Sequence, residues 1–371
     1  MNIKAGLVGL PNVGKSTLFN ALTRSSVPAE NYPFCTIDPH IAITEVPDER
    51  LQKLKIIYNS EKIIPTTINF VDIAGLVHGA ASGEGLGNKF LSHIREVDMI
   101  IHVLRCFEDP NIIYTGAAPS IDPLDDIAIV HSELLLKDLE TIEKRLEKLP
   151  QLIKKGNAQQ KKTFELEEKL LKNIKNALEQ ENITEAQQII KEHNLENVLF
   201  LLSTKKFLII ANISEHDIEN EKYKNNRYYQ NLVATFGTEN VIPICIKLEY
   251  EFTQLSEEEA QEIMSMLNLK YRALEIIIKK TYDRLGLITF FTCGPKEIHA
   301  WSIPKDTPIK QAAGKIHSDL EKGFICAEVF NYNELLSTPS EAKIKELGKI
   351  RTEGYDYVVQ DGDIIHIRFN V

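Results

Sequence analysis

The sequence predicts an α/β fold, a parallel sheet wound with helices and interrupted by a helical hairpin, followed by a smaller α+β module. Three observations carry that expectation. Short apolar runs bounded by Gly, Pro, Asp or Asn alternate with helical patterns over residues 4–246, the texture of strands buried on both faces. A charged, leucine-rich stretch with a single glycine (Gly156) then fills residues 131–200. After about residue 285 the runs turn to strict apolar–polar alternation, the mark of half-buried strands.

The elements follow in order. Residues 4–9 form the first apolar run, and amphipathic spacing begins after Lys15. Further strands are expected at Thr67–Val71, Met99–Leu104, Phe207–Ala211 and Val241–Ile246. In the charged stretch, Leu134, Leu135, Leu139, Ile142, Leu146 and Leu149 recur at three- and four-residue intervals, as do Leu166, Leu170, Leu171, Ile174 and Leu178. A break at Gly156-Asn157 makes these two antiparallel helices inserted before the fifth strand. Their charge reads either as a solvated face or as a docking arm. The last module has strands at Leu287–Thr292, Ala300–Ile303, Ile325–Phe330 and Ile364–Phe369, a helix over Thr307–Leu320, and a tight turn at Asp361-Gly362. The expected domains are therefore 1–280, with the insertion at 131–200, and 286–369.

Composition excludes several classes of function. With 371 residues, 43% hydrophobic and 26% charged, the chain suits two units with sizeable cores. A net charge of −10 argues against a protein that grips nucleic acid over its whole surface, while leaving room for a local basic patch. Five cysteines, Cys35, Cys106, Cys245, Cys293 and Cys326, show no CxxC spacing, which excludes a zinc cluster or disulfide framework and fits a reducing cytosol. No run reaches the ~20 apolar residues of a membrane span, and the N-terminal apolar run is too short for a signal peptide. A soluble, cytoplasmic protein without membrane or DNA partners is expected.

The strongest motif is Gly9-Leu-Pro-Asn-Val-Gly14-Lys15-Ser16-Thr17, which fulfils G-x-x-x-x-G-K-[ST] between a strand and a helix. Its glycines let consecutive N–H groups, from Asn12 and Val13 through Thr17, face phosphate oxygens at the positive end of the helix. Lys15 brings charge to the β- and γ-phosphates, and the Ser16 hydroxyl is a Mg²⁺ ligand. Asp72-Ile73-Ala74-Gly75 follows the strand Thr67–Val71; Asp72 is placed to hold Mg²⁺ through water and the Gly75 amide to sense the γ-phosphate. In Tyr32-Pro-Phe-Cys-Thr36-Ile-Asp-Pro, Thr36 either reaches the metal or decorates a loop. Five glycines within residues 75–87 read as a mobile phosphate-sensing segment.

These motifs, with GEGLGNKFLSHIR at residues 83–95 and the closing EGYDYVVQDGDIIHIRFNV, resemble the Obg-like ATPase family, also called YchF, from the first residues to the last. The resemblance implies a P-loop NTPase of the G-domain type with a helical insertion, then a β-grasp TGS domain. It implies ATP as substrate in preference to GTP, and a ribosomal partner, on the large subunit, met by the hairpin and the TGS domain. A GTP-hydrolysing translation factor and a nucleotide-gated binding protein with incidental turnover stay open as alternatives.

The base reader supports ATP. GTPases place N-K-x-D after the fifth strand; this chain has Asn212-Ile213-Ser214-Glu215. The covering lysine is gone and the glutamate reaches one methylene further. Hydrogen bonds to a charged group contribute roughly 1.5–3 kcal/mol each, so a displaced carboxylate costs guanine a factor of about ten to a few hundred. Asn212 is expected to face the base edge and Ile213 to line the pocket; Phe107 either flanks the base or sits in the core. Ile246, in Cys245-Ile246-Lys247, is bulkier than the alanine relatives carry.

Catalysis is less legible. Leu76 stands where small GTPases have the water-orienting glutamine, so Lys15, Thr36 and Gly75 are left with Mg²⁺ to stabilise charge, and slow turnover is expected. Tyr114 replaces a histidine suspected of helping hydrolysis in relatives, while His78 and His93 read more readily as structural or solvated. Asn12 is either a potassium ligand or a shaper of the loop. Lys310, Lys315, Lys322, Lys343, Lys345, Lys349 and Arg351 supply a basic face to the last module.

Overall fold

The computed structural model describes residues 3–25, 40–73, 87–116, 118–195 and 199–370. From the N-terminus the elements are β1 (Lys4–Val8), α1 (Lys15–Arg24), β2 (Ile41–Glu45), α2 (Arg50–Tyr58), β3 (Lys62–Ile64), β4 (Thr67–Asp72), α3 (Asn88–Glu96) and β5 (Met99–Arg105). Three helices follow, α4 (Pro123–Lys155), α5 (Ala158–Glu179) and α6 (Ile183–Glu192). Then come β6 (Lys206–Asn212), α7 (Glu215–Ile218), α8 (Arg227–Phe236), β7 (Val241–Ile244), α9 (Ile246–Phe252) and α10 (Glu257–Met266). The chain ends with α11 (Ala273–Leu285), β8 (Leu287–Cys293), β9 (Glu297–Pro304), α12 (Ile309–Ile316), α13 (Ser318–Lys322), β10 (Phe324–Asn331), α14 (Tyr332–Ser337), α15 (Glu341–Glu346), β11 (Arg351–Glu353) and β12 (Asp363–Phe369).

These form two compact units, Lys4–Ala21 with Phe70–Lys270, and Met1–Ile3 with Leu22–Asn69 and Tyr271–Val371. The first sheet has the order β2-β4-β1-β5-β6-β7, with β1, β5, β6 and β7 parallel. Its central strand β5 is buried at all seven positions, as a parallel strand covered on both faces must be. The expected α/β class holds, with boundary differences. The last strand stops at Ile244, because Cys245 precedes a helix that starts at Ile246.

The insertion is longer than the expected 131–200 hairpin at its start and carries a third helix. Asp122 accepts N–H bonds from Leu124 and Asp125 at 3.0 and 3.2 Å, and Pro123 occupies the first turn, so α4 begins there. The break at Gly156-Asn157 is found, with an Asn157–Gln160 capping box opening α5. Asn182 then caps α6. Ile142, Leu149, Leu171, Ile174, Leu178 and Ile190 bury one shared core among the three.

In the second unit the sheet order is β11-β10-β12-β8-β9-β3. The β8–β9 hairpin, with β12 parallel to β8 and antiparallel to β10, gives a β-grasp arrangement with α12 on one face. The expected helix Thr307–Leu320 is two, split at His317, whose backbone is extended. The unit is also not the contiguous block 286–369. Leu51 and Leu54 of α2 are buried in one cluster with Phe291, Phe330 and Ile364, and β3 pairs with the edge of β9. Apolar burial and strand pairing thus draw α2 and β3 out of the expected 1–280 domain. Arg50, bonded to Asp48 and to Asp361 at 2.7 Å, reinforces that packing.

Candidate nucleotide-binding site

The phosphate end is built from backbone. A Cβ at Gly9 would lie 2.6 Å from the Val103 carbonyl, and one at Gly14 would lie 2.6 Å from Asn212 Nδ2. Gly14 also has φ of 99°, and Asn12 has φ of 65°, so the turn needs residues that tolerate left-handed backbone. The Gly14 carbonyl accepts the Leu18 N–H at 2.9 Å as α1 begins. Val13 and Lys15 are buried, Thr17 is half-buried and Ser16 is exposed. The Lys15 ammonium is ion-paired with the Asp72 carboxylate at the end of β4. The structure therefore brings Lys15 and Asp72 together, with Ser16 next to Lys15 at the start of α1. Thr36, Gly75, Leu76 and His78 lie outside the described residues.

A cavity of about 540 Å³ continues from this loop, within the range of small-ligand sites. Its walls come from Asn12, Gly14 and Thr17, from Phe107–Asp109 and Ile112, from Asn212–Glu215 and from Cys245–Lys247. Asn212 lines this cavity and also has a structural role. Its Nδ2 donates to the Val13 carbonyl at 2.9 Å and its Oδ1 accepts the Ile246 N–H at 3.2 Å. It braces the loop to β6 and α9, because these groups are buried and need partners. Ile213 is 2% exposed and packs in the core with Leu104, Cys106 and Leu232. Ile246 is also buried, its Cδ1 beside Gly14, so its bulk fills the space behind the loop. Phe107 is half-buried and lines the cavity. Glu215, at the position of the guanine-reading aspartate, lies 3.8 Å from Lys247 on the rim.

One further residue organises this end. Arg105, 2% exposed, donates to the carbonyls of Phe107, Asp109 and Ile112 at 3.0–3.1 Å and stacks on the Phe107 ring at 4.9 Å. One guanidinium thus sets the course of the whole 107–112 loop, using the fork geometry that lysine lacks. A lone arginine closing the otherwise uncharged, largely apolar run Met99–Leu104 is the signal the sequence offers for it. The loop then joins the phosphate turn: Asn12 Nδ2 donates to the Ile113 carbonyl and the Thr115 hydroxyl to the Pro11 carbonyl, both at 3.2 Å.

Tyr114 donates to Asp126 Oδ1 on α4 at 2.6 Å, and burial pushes its own phenol pKa up. Burial also raises the Asp126 carboxyl to about 6, against the lowering effect of the Tyr114 bond, and its Oδ2 has no partner among the described residues. Nothing in the sequence pattern marked Asp126. His93 is half-buried on α3.

The curated proteins most like this chain include the ribosome-binding ATPase YchF of Bacillus subtilis, 46% identical over 372 residues that take in all of both chains. The chain belongs to the YchF family. The ribosome-binding ATPase YchF of Haemophilus influenzae is 44% identical, again over the whole of both chains. The solved structure of the Schizosaccharomyces pombe YchF GTPase is 38% identical, covers 99% of this chain and 98% of its own, and superposes with a TM-score of 0.85. Residues 4–153 match the family model described as 50S ribosome-binding GTPase. Residues 287–370 match the YchF GTPase C-terminal model, described as a protein of unknown function. Among the described residues no helix is long and apolar enough to cross a membrane.

Proposed function

We propose that the chain is a ribosome-associated ATPase that binds ATP with Mg²⁺, hydrolyses it slowly to ADP and phosphate, and uses the change as a switch. The single observation that carries the reading is the glycine turn with Lys15 poised against Asp72, opening onto a cavity of nucleotide size. The names of the relatives, ribosome-binding ATPases, support the substrate and the partner.

Preference for ATP is supported by the base end. Ile213 lines the cavity without the ammonium that covers a guanine, and Glu215 lies 3.8 Å from Lys247 on the rim, so neither acts as the lysine and aspartate of a guanine reader. Adenine, with an acceptor at N1 and a donor at N6, gains nothing from that carboxylate. The solved relative is titled a GTPase, and competition calorimetry of ATP against GTP decides between the two: selective heat with GTP would overturn this assignment.

The oxygen donors fit a hard divalent cation: Ser16 is an exposed hydroxyl on α1, next to the Lys15 that pairs with Asp72, and Asp72 is a carboxylate at the end of β4. Ser16 would ligate it directly, Asp72 through water and Thr36 in the triphosphate state. When bound, Mg²⁺ neutralises developing charge on the β- and γ-oxygens. Lys15 leaves Asp72 to meet the phosphates, and the turn's amides orient the chain of phosphates. Thr36 and Gly75 sense the γ-phosphate. Asn12 holds the Ile113 carbonyl, which favours loop shaping; turnover equal in potassium and sodium would remove its role as a potassium ligand. The TGS domain and the hairpin meet the large ribosomal subunit, which places the protein's work in the cytoplasm. Stimulation of ATP turnover by ribosomes tests the switch; turnover and ribosome affinity indifferent to each other would leave only a binding module.

A further inference from the structure

A groove of about 590 Å³ runs between α3 and the first arm of the insertion, α4. Arg95 from α3 and Lys137, Lys144, Arg145 and Lys148 from α4 line it, against one lining carboxylate, Glu140. Glu140 is shared by Lys137 and Lys144, and Arg145 is paired with Glu167 of α5. Lys148 is exposed and forms no ion pair among the described residues, and Arg95, also exposed, has the buried Asp138 carboxylate within electrostatic range but no direct ion pair there. Lys144 and Lys148 stand four apart on one helix, where like charges repel. The nearby Glu143 and Glu147 do not line the groove, so a helix face that needed only solvation has been left locally cationic in a chain of net charge −10.

We propose that this groove binds the phosphate backbone of ribosomal RNA. The proposal rests on the ribosome-associated reading above and names the chemistry of contact. Cations on two facing helices suit a row of phosphates, which supply affinity by releasing counterions. A protein partner fits less well: protein interfaces centre on apolar and aromatic side chains, and Leu91 is the one apolar residue lining the groove. The wall formed by α3 begins where the glycine-rich segment 75–87 ends, so the RNA contact adjoins the proposed switch in the chain.

The test uses the full chain and a fluorescein-labelled RNA stem-loop, read by anisotropy across a salt series. The double variant Arg95→Glu with Lys148→Glu should lose at least about tenfold in affinity, and its log K against log salt slope should be shallower by about two. Arg95→Lys with Lys148→Arg should bind as the parent does. Calorimetric ATP affinity should be unchanged in both and reports that they are folded. An unchanged stem-loop affinity in the Glu variant, or a parent that holds poly-glutamate as tightly as the RNA, would overturn the groove. Ribosome co-sedimentation run beside it separates the two claims. A parent that sediments while the Glu variant still binds stem-loop sinks the groove and leaves the function standing. A parent that does not sediment sinks the function, and the groove's claim to ribosomal RNA with it.

Discussion

The two ends of the nucleotide cavity are built in different ways. At the phosphate end, nine consecutive residues, Gly9–Thr17, make the turn, and the sterics act over short range: Gly14 needs its φ of 99° whatever surrounds it. At the base end the wall is assembled from three segments distant in sequence, 107–112, 212–215 and 245–247. They are held by buried hydrogen bonds from Arg105 and Asn212 rather than by local backbone preference. The lesson is that, on the proposed reading, the contacts to a polyanionic tail are set locally, while those to the base depend on side chains whose positions are set by packing.

Lys15→Ala gives the widest contrast. It removes the charge for the phosphates and strands Asp72, whose side chain is 19% exposed, without its cation. ATP affinity should fall by more than about a hundredfold, a loss of roughly 3 kcal/mol, measured by calorimetry. Inorganic tripolyphosphate should weaken in parallel, since only the phosphate end is touched.

Asp126→Asn probes the loop shared by both ends. The carboxyl is raised from 3.8 to about 6 by burial, so the folded protein holds a proton that the unfolded chain releases between those values. Stability contributed by that proton is present at low pH and lost as pH climbs from about 4 to about 6. The asparagine variant keeps an acceptor for Tyr114 and carries no charge. Relative to the parent it should gain about 2 kcal/mol between pH 4 and pH 7 in denaturant melts; a difference flat with pH would mean that Asp126 titrates normally.

Arg105→Ala sharpens the comparison from the other side. With the carbonyls of Phe107, Asp109 and Ile112 released, ATP should bind about tenfold more weakly, near 1.4 kcal/mol, and tripolyphosphate equally well. Parallel loss of both ligands would show that the two ends are not separable. The smallest effect belongs to Lys247→Ala, which frees Glu215 from a contact that is largely exposed on both sides. Melting should shift by no more than about 0.5 kcal/mol, and the ATP-to-GTP affinity ratio should stay within about twofold.

Legibility followed the range of the interaction. β1, β4, β5 and β6 announced themselves as apolar runs, and the break at Gly156-Asn157 as a cap signal. The start of α4 at Pro123 was missed because the leucine period begins later than its cap. Arg105 stands in the sequence as a charge at the end of an apolar run, but nothing there marks its three carbonyl partners. Asn212 is the instructive case: its presence is motif-level information, whereas its partners, Val13 and Ile246, lie 199 and 34 residues away.

Sequence alone determined that the chain winds a parallel sheet, carries a helical insertion and makes a glycine turn at Gly9–Thr17, because strand burial, helical period and glycine turns are all written within a few neighbouring residues. Tertiary structure alone decided that β3, three residues long and too short to show a period, pairs with β9. It also decided that α2 shares a core with Phe291, Phe330 and Ile364, and that Asn212 is spent on bracing the phosphate turn. Those outcomes depend on which distant apolar faces and buried polar groups find each other, and only the folded chain brings them within reach.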